Sequence, residues 1–152
     1  MKSKCLVWLV LFLTAVTPAW AVEDSRNPDD WYGRAKEDLE IAEILFKETP
    51  HYGAVCFHSQ QAAEKALKGA LLIHGARPKK THSTALLLKE VARFRPPVSS
   101  FESDTHFLDA VYVPSRYPRA GLPTFTRERA SQCLEKAERI TDALAPVHSL
   151  AS

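Results

Sequence analysis

The stretch His51–Gly75, HYGAVCFHSQQAAEKALKGALLIHG, decides the fold. Val55, Phe57, Ala62, Ala63, Ala66, Leu67, Ala70, Leu71 and Ile73 recur at helical intervals and cover more than one face of the helix they define. A helix that is apolar on two sides belongs at the centre of a bundle, with neighbours packed around it. Gly75, followed by Pro78, marks its C-terminal end, so a second helix is predicted from about His51 to His74.

Working outward, Asn27 is the expected N-cap of a first helix. Pro28 takes its first position, and Asp29 and Asp30 lie in the first turn, where the helix dipole favours negative charge. Trp31, Ala35, Leu39, Ala42 and Phe46 form one apolar stripe, and Thr49-Pro50 ends it. After the central helix, a basic loop from Arg77 to His82 leads to a third helix from about Ser83 to Phe94, closed by Pro96-Pro97. A fourth, shorter helix is predicted from about Ser99 to Tyr112, stopping at Pro114, with Pro114 to Thr124 as a loop. Thr126 is the expected cap of the last helix, whose stripe is Ala130, Cys133, Leu134, Ala137, Ile140 and Leu144. No segment alternates apolar and polar residues over strand length. The prediction is an all-α, up-and-down bundle of four to five helices over residues 27–145, with 146–152 as a tail.

The first 21 residues read differently. Two lysines, an apolar run from Cys5 to Val16 and the small-x-small site Ala19-Trp20-Ala21 follow one another as in a secretory signal peptide. The run is too short to span a bilayer, so no membrane association is expected once residues 1–21 are gone. The alternative is a start codon called too far upstream. The first case implies an exported protein, periplasmic or secreted, and the second a cytoplasmic one. Removing this leader takes two of the 20 basic residues and none of the 18 acidic ones, which leaves a neutral domain. A neutral domain has no general pull toward nucleic acid, so any such binding must come from a local patch. Cys56 and Cys133 remain, too few and too far apart for a zinc motif or a disulfide framework. They are read as buried thiols acting as small apolar residues, pairing being the alternative in an exported chain.

The string Phe57, Gln60-Gln61-Ala-Ala-Glu64-Lys65-Ala-Leu-Lys68 in the central helix carries a resemblance. So do Trp31, Ala35, Asp38 and Leu39 before it, Thr81-His82 after it, and Tyr112-Val-Pro-Ser-Arg116-Tyr117-Pro118. In this order, over about 115 residues, they resemble a HEPN domain. The resemblance implies a bundle of four or five helices, commonly a homodimer, often found beside a minimal nucleotidyltransferase, with nucleotide binding proposed for the family. Some branches are ribonucleases using an Arg-x4–6-His motif on a bundle helix. Arg77 and His82 have that spacing but enclose Pro78 in a loop, which is the wrong context. Downstream of Arg116 the nearest histidine is His148, so spacing gives no Arg/His pair there.

The ligand-binding candidates are Lys68, His82, Arg116 and Tyr117. Gln61/Lys65 and Glu64/Lys68 are i,i+4 pairs, read first as an exposed or interface face and alternatively as placing Lys68 beside Arg77, Lys79 and Lys80 to hold a phosphate. His82 suits capping or an inter-helix bond, or contact with nucleotide or RNA. Arg116 offers a planar fork for phosphate, and Tyr117 a ring for a base; the competing reading is an ion pair that fixes the loop. No glycine-rich phosphate loop, Gly-x-Ser-x-Gly elbow or His-Glu-x-x-His occurs, so no catalytic residue, metal ligand or cofactor is assigned. The leading expectation is a non-catalytic binding module. An RNase-like toxin of a toxin–antitoxin pair and an exported interaction bundle are the alternatives.

Overall fold

The computed structural model describes residues 24–117 and 124–146; the leader, residues 118–123 of the predicted loop and the tail beyond 146 lie outside it. The described chain is five α-helices with no strand: α1 Pro28–Glu48, α2 Tyr52–Ile73, α3 Thr84–Val91, α4 Glu102–Arg116 and α5 Arg127–Leu144. A 3-10 turn, Pro96–Phe101, leads into α4. None of these helices is long and apolar enough to cross a membrane.

Local chemistry sets most of the ends. Asn27 accepts from the amide of Asp29, Ser83 from that of Leu86 and Thr126 from that of Arg129. Gly75 closes α2 at φ 70°, the left-handed conformation that glycine adopts without penalty. As predicted, α2 is the central rod and packs against every other helix, most extensively against α1 and α5. Ala63, Ala66, Leu67, Leu87, Leu108, Val111, Ala137 and Ile140 are fully buried in the shared core. Ala42, Val55 and Ala130 form a second apolar cluster between α1, α2 and α5. Ile73, counted above with the apolar residues of α2, is 50 % exposed at its end.

Between α1 and α2 the approach is close. A Cβ on Gly69 would stand 3.0 Å from the Tyr32 ring, so glycine lets that ring lie against the α2 backbone. Burial there pushes the Tyr32 phenol up to about 12.

Three expectations are corrected. Pro114 does not stop α4, which runs on to Arg116. Proline this close to a helix end removes only one bond, to the carbonyl of Ala110, and Ala110 is exposed to water. The third helix is shorter than predicted and ends at Val91 in a turn. Cys56 and Cys133 are joined in a disulfide with Cα atoms 5.1 Å apart, tying α2 to α5. Their separation of 77 residues says nothing about which helices pack together, so spacing alone hid the pair.

Candidate functional site

One face of α2 is polar and buried. Glu64 is 3 % exposed, Lys68 8 % and Gln60 fully covered, so the charges must be paired within the protein. Lys68 Nζ donates to Glu64 Oε1 at 2.8 Å. Gln60 and Gln61 each donate a side-chain N–H to Glu64 Oε2, at 3.3 and 3.2 Å. His82 Nδ1 lies 3.3 Å from both carboxylate oxygens. The i,i+4 spacing of Glu64 and Lys68 is realised, yet in the interior rather than on an exposed surface. Lys65 turns away from Gln61 and pairs with Asp38 of α1.

The loop that carries His82 is fixed from two sides. Gln60 Nε2 donates to the His82 carbonyl at 2.8 Å. Asp109, on α4, covers the start of α3: its carboxylate accepts from the Thr84 amide at 2.7 Å, the Ala85 amide at 3.2 Å, and the hydroxyls of Ser83 and Thr84 at 2.6 and 2.7 Å. A carboxylate on a helix N-terminus satisfies amides that have no partner within the helix. With its backbone held, the exposed His82 ring stacks on Tyr112, centroids 5.3 Å apart.

Tyr112 links His82 to the end of α4. Arg116 Nη1 donates to the Tyr112 hydroxyl at 2.7 Å. The guanidinium lies 5.3 Å from the Phe57 ring centre, 5.5 Å from Tyr112 and 5.6 Å from Tyr117. Three rings around one cation make a platform of alternating charge and π-face. Tyr117, at its outer edge, is 55 % exposed. The four sequence candidates therefore fall in one connected network that runs from the interior to the surface: Lys68 and His82 meet on Glu64, His82 and Arg116 meet on Tyr112, and Tyr117 flanks Arg116. The linking roles of Glu64, Tyr112 and Phe57 escaped the sequence reading, because they depend on α2, α4 and the His82 loop coming together.

Beside this surface lies a cluster that sequence reasoning missed. Asp38, 7 % exposed, faces α2, where its Oδ1 is 2.9 Å from His58 Nδ1 and its other oxygen takes Lys65. A signal did exist: Asp38 sits one turn from both Ala35 and Ala42 on an otherwise apolar stripe, and a carboxylate there must find partners.

In fold and connectivity this is a helical-bundle domain with one aromatic and charged face. Residues 28–147 match the HEPN domain family. A Methanocaldococcus jannaschii protein bearing the name "putative toxin" is 30 % identical over 125 residues, which cover 73 % of this chain and 81 % of that one. The crystal structure of a Thermus thermophilus protein superposes with a TM-score of 0.72 at 30 % identity, covering 79 % of this chain and 97 % of its own. An archaeal HEPN homologue superposes with a TM-score of 0.64 at 34 % identity, covering 78 % of this chain and 94 % of its own. The chain belongs to the HEPN domain family.

Proposed function

We propose that this chain is a non-catalytic HEPN-type module that engages nucleotide or RNA on the surface running from Lys68 through His82 to Arg116 and Tyr117. In this reading it acts as a homodimer, in the company of a partner such as a minimal nucleotidyltransferase. The observation that carries the reading is the Arg116 guanidinium set among Phe57, Tyr112 and the exposed Tyr117. Such a platform suits a single-stranded or unpaired base, which stacks on any aromatic face, while the guanidinium fork takes the adjoining phosphate. Arg116→Ala removes the cation without opening the core. It is expected to lower the affinity for labelled nucleotide or RNA by about tenfold or more, with stability changed by no more than about 0.5 kcal/mol. Unchanged binding, or no binding by the native protein, sinks the proposal.

A second reading, an RNase-like toxin, draws support from one geometric fact and one relative. Sequence spacing offers no histidine to Arg116, yet in space His82 stacks on the same Tyr112 ring that Arg116 bonds. An imidazole and a guanidinium sharing one ring could serve as proton carrier and phosphate clamp. The relative named as a toxin agrees with it. Nuclease-free protein incubated with structured RNA separates the two: cleavage lost in His82→Ala supports the toxin, and intact RNA at high protein concentration supports the binding module.

A further inference from the structure

We infer that this site selects ribose over deoxyribose: His82 and a second imidazole, His58, each accept a hydrogen bond from a 2′-hydroxyl of the bound strand. The inference rests on the RNA-binding proposal above and deepens it by naming the sugar.

The two imidazoles stand at the ends of a row of rings. His82 stacks on Tyr112 at 5.3 Å, Tyr112 lies 6.5 Å from Phe57, and the His58 ring meets Phe57 edge-on at 5.1 Å. The Arg116 guanidinium lies by the two middle rings, 5.3 Å from Phe57 and 5.5 Å from Tyr112. Measured through those shared rings, neither imidazole is more than about 11 Å from the guanidinium. A single nucleotide spans that gap, with its phosphate on the guanidinium fork and its 2′-hydroxyl on a ring, each at hydrogen-bond distance.

A buried carboxylate fixes what each ring offers. Asp38 places Oδ1 2.9 Å from His58 Nδ1 and gives its other oxygen to Lys65. Glu64 has His82 Nδ1 3.3 Å from both of its oxygens, and it also takes bonds from Lys68, Gln60 and Gln61. A carboxylate that gathers donors on both oxygens is an anion and only accepts, so Nδ1 carries the proton in both neutral rings. The two Nε2 atoms are then bare acceptors. Among the described residues neither has a partner. His82 is exposed and His58 partly so.

An acceptor beside a phosphate clamp sorts nucleic acids by their sugar. The phosphates and ring oxygens of a nucleic-acid backbone only accept. They suit Arg116, which spends one N–H on Tyr112 and has others to donate. The one donor on that backbone is the 2′-hydroxyl, which DNA lacks. The Tyr112 hydroxyl, accepting from Arg116, keeps its own proton for the 2′-oxygen or the phosphate. Over DNA, each imidazole loses water from Nε2 and gains no bond in return.

The test uses the full chain at about pH 8, on the neutral side of imidazole titration. ¹⁵N spectra of the histidine rings, assigned with His58→Ala and His82→Ala, should show the proton on Nδ1 and a bare Nε2 in both. A proton on either Nε2 overturns the inference. Binding is then compared for one short unpaired sequence made as RNA, as DNA and as 2′-fluoro RNA, whose substituent keeps an RNA-like sugar but has no proton to give. RNA should bind about tenfold or more tighter than the other two, and each histidine variant should weaken RNA about fivefold more than DNA. Both variants are checked for native helical content, and the 2′-fluoro comparison needs neither. Equal binding of all three strands, lost in Arg116→Ala, leaves the platform standing and overturns the sugar selection. Equal loss of RNA and DNA in the histidine variants assigns the imidazoles to base amines and overturns it as well. If no strand binds, the RNA-binding proposal falls and this inference falls with it.

Discussion

The two sides of α2 are held by different physics. Toward α5 it presents Cys56, Ala63, Leu67 and their apolar neighbours, closed by a disulfide. Toward the His82 loop and α1 it presents Gln60, Glu64, Lys65 and Lys68, whose polar groups find partners within α2 and on those two segments. Apolar burial is non-directional and tolerates many arrangements, whereas a buried carboxylate bonded to four side chains tolerates few. The first side makes the bundle stable, and the second fixes where particular groups stand. That is why the candidate site lies on the second.

The contrast can be broken most forcefully at the disulfide. Cys133→Ser, or reduction of the native protein, frees a loop of 77 residues in the unfolded chain and should cost about 4 kcal/mol. Urea midpoints with and without reductant measure it, and coincident midpoints would mean that packing alone holds α5. On the polar side, Glu64→Ala strands the Lys68 ammonium and should cost about 3 kcal/mol. Glu64→Leu combined with Lys68→Met should recover most of that loss. A double variant as unstable as Glu64→Ala would show that the carboxylate acts through something other than pairing.

Asp109→Ala, which uncovers the start of α3, is expected to cost about 2 kcal/mol. It should also raise amide hydrogen exchange at Thr84 and Ala85 above that of the rest of the bundle; uniform exchange would deny that α3 depends on this contact. The smallest effect lies at Glu138 of α5, half-buried near the charges of α1. Burial together with Glu43, Asp142 and Glu135 raises the Glu138 carboxyl above its ordinary value. A raised carboxylate disfavours folding once it ionises, so the stability it withholds is lost as pH climbs through its folded value. Glu138→Gln should therefore raise the Tm slightly at pH 7, with the gain fading as pH falls through the raised folded value and gone below about 4.3. A gain independent of pH would exclude this cause.

What could be read from the sequence follows the range of the interaction. Asn27 and Thr126 cap amides two or three residues on, and Gly75 turns its own backbone, so local chemistry announced those helix ends. The stripe of α5 announced its buried face. Lys68, His82, Arg116 and Tyr117 were legible as residues with the right chemistry. Their joining through Glu64 and Tyr112 was not, because it spans contacts between residues 18 to 30 positions apart. Asp109 reaches α3 from a different helix, and no local pattern marks it. Pro114 misled because proline is a strong local signal whose cost is small in a final, exposed turn.

Gly69 carries a consequence beyond its own position. Because the Tyr32 ring rests where a side chain would otherwise project, the spacing of α1 from α2 is set by an absence. A Cβ there would press on the Tyr32 ring, which would have to give by a few tenths of an ångström to keep α1 and α2 at their present spacing. A missing methyl thus calibrates the distance at which an acidic helix and a basic one recognise each other.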